Sequence, residues 1–262
     1  MLKHPLVLAL AAGLAVLAVA FALPLWHMGR GSAAPAAAVE QGLPWQAQAQ
    51  ADGTLQVFGL RLGRDTLADA ERRVGDGLQV AVVARLGEVG ALEALAEPFS
   101  AGFVAGRLVL AFDAPADALR RWREQAPGSE PMDGGVRRFK LTAADRDAAR
   151  GVRLAGLSFV PALRLSETDL RQRFGAPAAE LAQPGGAKVL LYPALGLAAS
   201  VAADGQAGSR GVLQYVAPRD FEARLRQPLL AALAGAAASA PAAAIPPAVP
   251  ADAAASATPP AR

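Results

Sequence analysis

From Leu6 to Trp26 the chain runs 21 residues without a charge. A helix that is apolar all round must be buried, and about 20 apolar residues are enough to cross a bilayer. Lys3 precedes the run, and Trp26-His27 closes it with residues suited to a membrane interface. Lys3 and the amino terminus favour a cytoplasmic start, which places the rest of the chain in the periplasm. The reading is an inner-membrane anchor through residues 5–28, within a terminal segment 1–30. The competing reading is a cleaved signal peptide, with small-x-small sites at Ala20-Phe21-Ala22 and Ala34-Pro35-Ala36. Against it, the run is longer than the roughly 7–15 apolar residues usual in such peptides. Both readings export the remainder of the polypeptide.

The residue inventory narrows the chemistry of the exported part. The chain has no cysteine and two histidines, His4 and His27, both flanking the apolar run. Beyond residue 29 there is therefore no imidazole base, no Ser-His-Asp or Cys-His arrangement, and no thiolate or imidazole metal ligand. No catalytic, cofactor or metal residue is assigned. The net charge of +3, from 26 basic and 23 acidic residues, does not call for a nucleic-acid partner. The Arg, Ala and Gly bias, with lysine only at Lys3, Lys140 and Lys188, reflects the codons of a GC-rich bacterial genome.

Residues 31–53, rich in Ala, Pro and Gln, read as a tether. Leu55–Leu62 reads as a strand. Thr66 with Asp69 starts a short helix through Leu67, Ala70 and Val74, closed by Gly75. Strands come next at Leu78–Ala84 and Phe103–Phe112, the second with a turn candidate at Ala105-Gly106. Asp113-Ala114-Pro115 then opens a helix carrying Leu119 and Trp122. A connector holds a strand at Val136–Leu141 and a helix from Thr142. The same order recurs: a strand at Leu154–Val160, a helix capped by Ser166 and Asp169 and closed by Gly175, strands at Val189–Tyr192 and Leu195–Val201, an Asp204-Gly205 turn, a strand at Gly211–Val216, and a helix opened by Ala217-Pro218. Thr66, Asp69, Arg73 and Gly75 meet Ser166, Asp169, Arg173 and Gly175 at an offset of 100, and Val109–Asp117 meets Val212–Asp220 at 103. Two anchors in the same order indicate a tandem repeat, with units at 54–150 and 151–228.

The run Phe174-Gly175-Ala176-Pro177, followed by a strand ending in Tyr192 and a hairpin, resembles the small outer-membrane-assembly lipoproteins (SmpA/OmlA). The tandem arrangement resembles the β-lactamase inhibitor protein. The likeness covers about 60 residues of the second unit and less of the first. It implies an α+β fold, with short helices on a small antiparallel sheet in each unit, and protein binding in place of catalysis. The lipidated cysteine of those assembly proteins has no counterpart here.

Other signals are read more plainly. Asp113 and Asp117 sit at a helix start and are expected to cap it, and Glu88, Glu93 and Glu97 to lie on a solvated edge. Gly185-Gly186-Ala187-Lys188 lacks the spacing and hydroxyl of a phosphate loop and reads as a turn; Gly134-Gly135 reads as a loop. Arg120, Arg121, Arg123, Arg137 and Arg138 form the densest basic region, a solvated face or a contact for an anionic partner. Trp45, beside Pro44, is a staple onto the first sheet or an exposed contact. These six residues are the candidate partner contacts. Residues 229–262 read as a disordered Ala/Pro tail. The function expected is a membrane-anchored periplasmic binding or envelope-assembly protein. The alternatives are an envelope enzyme using a carboxylate pair, on glycans for example, and a passive spacer.

Overall fold

The computed structural model describes residues 42–75, 77–202 and 210–239. The apolar run, the Asp204-Gly205 turn and the tail beyond Ser239 lie outside them. Among the described residues, no helix is long and apolar enough to cross a membrane.

The described residues form thirteen strands and five α-helices, a mixed α+β fold with two antiparallel sheets. The small sheet holds β1 (Gln48–Ala49), β2 (Leu55–Val57) and β3 (Leu60–Leu62), preceded by a 3₁₀ turn at Pro44–Gln46. Folded structure thus begins inside the expected tether. The continuous strand expected over Leu55–Leu62 is a hairpin. Phe58 and Gly59 form its two-residue loop, with φ of 53° and 75°, the backbone of a turn whose twist matches its strands. Glycine suits position 59, where φ is 75° and a Cβ would press on the Arg73 guanidinium.

The large sheet holds the other ten strands: β4 (Gln79–Arg85), β5 (Ala91–Ala101), β6 (Val104–Phe112), β7 (Ser129–Pro131), β8 (Val136–Lys140), β9 (Leu154–Pro161), β10 (Ala179–Ala182), β11 (Lys188–Tyr192), β12 (Leu197–Val201) and β13 (Val212–Val216). Their order is β10-β11-β12-β13-β9-β6-β5-β4-β8-β7, antiparallel throughout. One continuous sheet therefore replaces the separate small sheets expected for two units. The join is β6 against β9, with Leu108 opposite Phe159 and Leu110 opposite Leu157. The expected turn at Ala105-Gly106 lies within β6, paired with Ser100 and Phe99. Gly106 is small because a Cβ would meet the Val160 carbonyl at 2.4 Å and the Phe159 ring at 2.7 Å. The real turn is Gly102-Phe103, with Gly102 at φ 60°.

The helices are α1 (Leu67–Val74), α2 (Ala116–Glu124), α3 (Ala143–Ala149), α4 (Glu167–Phe174) and α5 (Gln227–Ser239). Capping chemistry sets the ends of α1 and α4 alike. The Thr66 and Ser166 hydroxyls accept from the amides of Asp69 and Asp169, whose carboxylates accept in return from the two cap amides. Gly75 and Gly175 close the helices at φ 88° and 83°. Two of α1's first N–H groups, at Leu67 and Ala68, are satisfied by the carbonyls of Val152 and Arg150.

Both halves of the sheet also share a path. In each, a central strand (β6 or β9) leads through a helix (α2 or α4) to an outer hairpin (β7-β8 or β10-β11). The two hairpin turns carry Gly134-Gly135 and Gly185-Gly186, all at positive φ. The halves differ in chain order: β4-β5 come before this path in one and β12-β13 after it in the other.

Apolar residues of α1–α4 and of the small sheet pack on one face of the large sheet, in a single core with Leu92, Leu108, Leu110, Leu157, Phe159 and Tyr215. The opposite face is covered over the second half by Phe221, Leu225 and Leu229, which rest on Val189, Leu191, Ala198 and Val216. This segment corrects the expected tail, since a helix continues from Gln227 to Ser239. A π turn at Glu222–Arg226 leads into it, with the Gln227 amide bonded to the Glu222 carbonyl. The wider turn relaxes the ladder just where Pro228 has no N–H to give.

The small sheet is pinned at its tip and at its start. Phe58, 2% exposed, packs against Phe99, Phe159 and Tyr215 at ring-centroid separations of 5.5, 5.2 and 6.2 Å. The buried Tyr215 hydroxyl donates to the Pro44 carbonyl at 2.9 Å. Tyr215→Phe is expected to cost about 1–2 kcal/mol in urea unfolding, because it orphans a buried carbonyl. Phe58→Ala is expected to cost about 3–5 kcal/mol by cavity formation. The pair of urea midpoints, taken with unchanged slopes, checks both.

Candidate functional site

The five arginines read as one basic region are split by the strand pleat. On β8, Phe139 faces the helix-side core, where the Arg123 guanidinium lies 5.0 Å from its ring centroid. Arg137 shares that face by alternation, and Arg138 points to the other. Arg123 is turned inward and donates to the Glu88 and Val89 carbonyls. Arg137 donates to the Ser129 hydroxyl at 2.7 Å, and Arg138 lies 3.9 Å from Glu130 and reaches Gln79. Arg120 and Arg121 remain exposed on α2. The helix-side surface thus presents Arg120, Arg121 and Arg137, while Arg123 holds a loop and Arg138 belongs to the opposite face.

The carboxylates are dispersed as well. Asp113 does not cap α2: its Oδ2 accepts from Arg224 at 2.9 Å, tying the end of β6 to the final helical segment. Pro115 occupies the cap position without a side-chain bond, and Asp117 lies in the first turn, near the positive end of the helix dipole. Glu97 takes a two-pronged contact from Arg107 at 2.8 Å. A polar depression of about 470 Å³ is lined by Gln56, Gly59, Arg61, Arg64, Asp65 and Asp69. Its two acids are committed to the fold, Asp65 to the Arg61 amide and Asp69 to the cap of α1.

Glu93 corrects the expectation of a solvated edge. It is the third residue of β5, between Ala81 of β4 and Ala111 of β6, and is 5% exposed. Its Oε1 has no hydrogen-bond partner, and neither does the buried Ser158 Oγ on the same face. Burial raises the carboxyl to about 8, against the pull of the Arg138 charge. A run of β5 residues with Leu92, Ala94 and Ala96 on the core side put Glu93 and Leu95 on the opposite face. The alternation was present in the sequence, but its two glutamates disguised it.

The third feature is apolar. Phe103, at the β5-β6 turn, is 74% exposed, and Leu163, in the loop after β9, is 40% exposed. The two loops are joined, since the Ala162 amide donates to the Ala105 carbonyl at 2.8 Å. The Trp45 ring, half-buried against the core, lies 5.9 Å from the Phe103 ring, and the Arg173 guanidinium stacks over it at 3.6 Å. Trp45 therefore acts as a staple and also contributes to this patch. Arg73, which matches Arg173 at the offset of 100, donates to the Phe58 carbonyl at 3.0 Å. Nothing in the sequence marked Phe103 or Leu163, because their exposure follows from the turn position at Gly102 and from the β6-β9 join.

No protein-family model matches this chain, and no curated protein or solved structure matches it. Functional inference therefore rests on the geometry and the residue inventory.

Glu93 makes a specific pH signature. Asp69, held by the Thr66 amide, and Asp169, held by the Ser166 hydroxyl, sit below the ordinary carboxylate range. Their stabilisation is present above that range and lost as pH falls. Glu93 runs the other way: its raised value favours the protonated folded state, so its contribution is fully present below pH 4.5 and is lost as pH rises to about 8. Glu93→Gln is expected to flatten that decline and to exceed the wild type by roughly 2–4 kcal/mol at pH 9. Urea unfolding at pH 5, 7 and 9 checks it; parallel curves for the two proteins would refute the assignment.

Proposed function

We propose that the chain is a membrane-anchored periplasmic protein that acts without catalysis, as a binding or envelope-assembly module. The observation that carries the reading is the 21-residue uncharged run ahead of a domain whose residues beyond position 29 include no histidine and no cysteine. Support comes from the carboxylates: Glu97 and Asp113 are tied to arginines, Glu93 lies in the sheet interior, and the two acids that share the polar depression, Asp65 and Asp69, already accept from backbone amides. The two halves are read as tandem units of one ancestral motif. The support is the shared capping of α1 and α4, the matched Arg73 and Arg173, and the common strand–helix–hairpin path. We read the partner contact on the helix-side surface, with Arg120, Arg121 and Arg137 meeting an acidic envelope protein.

The anchor is expected to keep the native protein in the membrane pellet after alkaline carbonate washing, with the folded domain digested by protease only once the outer membrane is opened. Release into the carbonate supernatant would favour the cleaved form. Crosslinking in intact cells is expected to capture an envelope protein, and the triple variant Arg120→Ser, Arg121→Ser, Arg137→Ser to lose that adduct while unfolding like the wild type. An adduct unchanged by the triple variant would remove the arginines from the contact.

A further inference from the structure

We propose that the Gly102-Phe103 turn, with Leu163 and Trp45, seats in the interfacial layer of the bilayer to which the N-terminal run holds the chain. The inference rests on the anchor reading. Described structure begins at Gly42, and Trp45, three residues on, lies 5.9 Å from the Phe103 ring. The chain thus enters the fold beside this patch. Residues 27–41 link it to the apolar run, and 15 residues reach at most about 50 Å. That reach is enough for this end of the sheet to meet the membrane.

The chemistry of the patch suits that surface. A phenylalanine at a two-residue turn, 74% exposed, and a leucine, 40% exposed, form a narrow apolar projection beside a tryptophan. Aromatic rings favour the headgroup boundary, and apolar side chains enter the outer acyl region below it. Arg173 over the Trp45 ring supplies positive charge beside the patch, suited to anionic headgroups. The projection is narrow for a protein partner, since a stable interface covers about 800 Å² on each side. The opposite end of the 11-residue strand β5 provides an internal contrast. There Leu86 is 93% exposed in the β4-β5 turn, roughly 30 Å away at the rise of an extended strand.

The absence of cysteine makes the test direct. Full-length Phe103→Cys, Leu163→Cys and Leu86→Cys are each labelled with an environment-sensitive nitrobenzoxadiazole probe. They are then reconstituted into liposomes of phosphatidylcholine and phosphatidylglycerol, with and without spin-labelled lipid. All three positions are exposed turns, and circular dichroism confirms that the variants fold. The expected result is blue-shifted emission and severalfold stronger lipid quenching at positions 103 and 163 than at 86. Flotation of the same liposomes separates the two readings. Protein that fails to float removes the anchor, and this proposal falls with it. Protein that floats while position 103 stays as water-exposed as position 86 overturns the proposal and leaves the anchor standing. Shielding at 103 in native membrane vesicles but not in pure lipid would assign the patch to a protein and likewise overturn it.

Discussion

The packing of Phe58 into the aromatic group formed by Phe99, Phe159 and Tyr215 is the contact on which the remaining architecture depends. Phe58 holds a left-handed backbone, φ 53°, that costs a non-glycine residue of order 1–3 kcal/mol. Burying a phenylalanine against three rings outweighs that cost. The result reaches well beyond a turn. Phe99 belongs to β5, Phe159 to β9 and Tyr215 to β13, so one side chain from the small sheet bridges both halves of the large one. The arrangement also dictates two glycines: Gly59, which leaves room for Arg73, and Gly106, which leaves room for the Phe159 ring.

Local chemistry was legible in the sequence wherever a few adjacent residues determine the outcome. Thr66 with Asp69 and Ser166 with Asp169 spell reciprocal caps, and Gly75 and Gly175 spell helix ends, so α1 and α4 could be placed closely. Pro115 and Pro218 marked where helical segments begin. Long-range pairing could not be read. The edge between β6 and β9 joins residues about 50 apart in sequence, and no local pattern announces that two sheets fuse there. The apolar alternation slips by one residue at the Phe58-Gly59 turn, from Leu55 and Val57 to Leu60 and Leu62, but the turn was missed because phenylalanine is a rare choice for that backbone. A final helix was expected from Ala217-Pro218, but its extension from residue 229 to Ser239 was hidden by composition. Alanine and proline suggest disorder, but Phe221, Leu225 and Leu229 recur every four residues and were enough to bury one side of it.

The candidate site was legible only in its components. The arginines were identifiable as residues but not as a surface, because the pleat of β8 sends Arg137 and Arg138 to opposite faces. Glu93 shows the converse. A charge in sequence became an interior carboxyl, 5% exposed between Ala81 and Ala111. That face of the sheet is not uniformly apolar, and its second half alone is covered by the final helical segment of the described residues.

The outermost strands of the large sheet are three and four residues long. One ends in Pro131, which has no main-chain donor, and beside it Glu130 pairs with Lys140; the other carries Glu180, engaged by Arg171. Short margins guarded by proline and charge discourage a foreign strand from zipping on. A protein built this way leaves side chains and loop tips, and not open backbone, at its margins, and so avoids the hazard of open-ended stacking between copies.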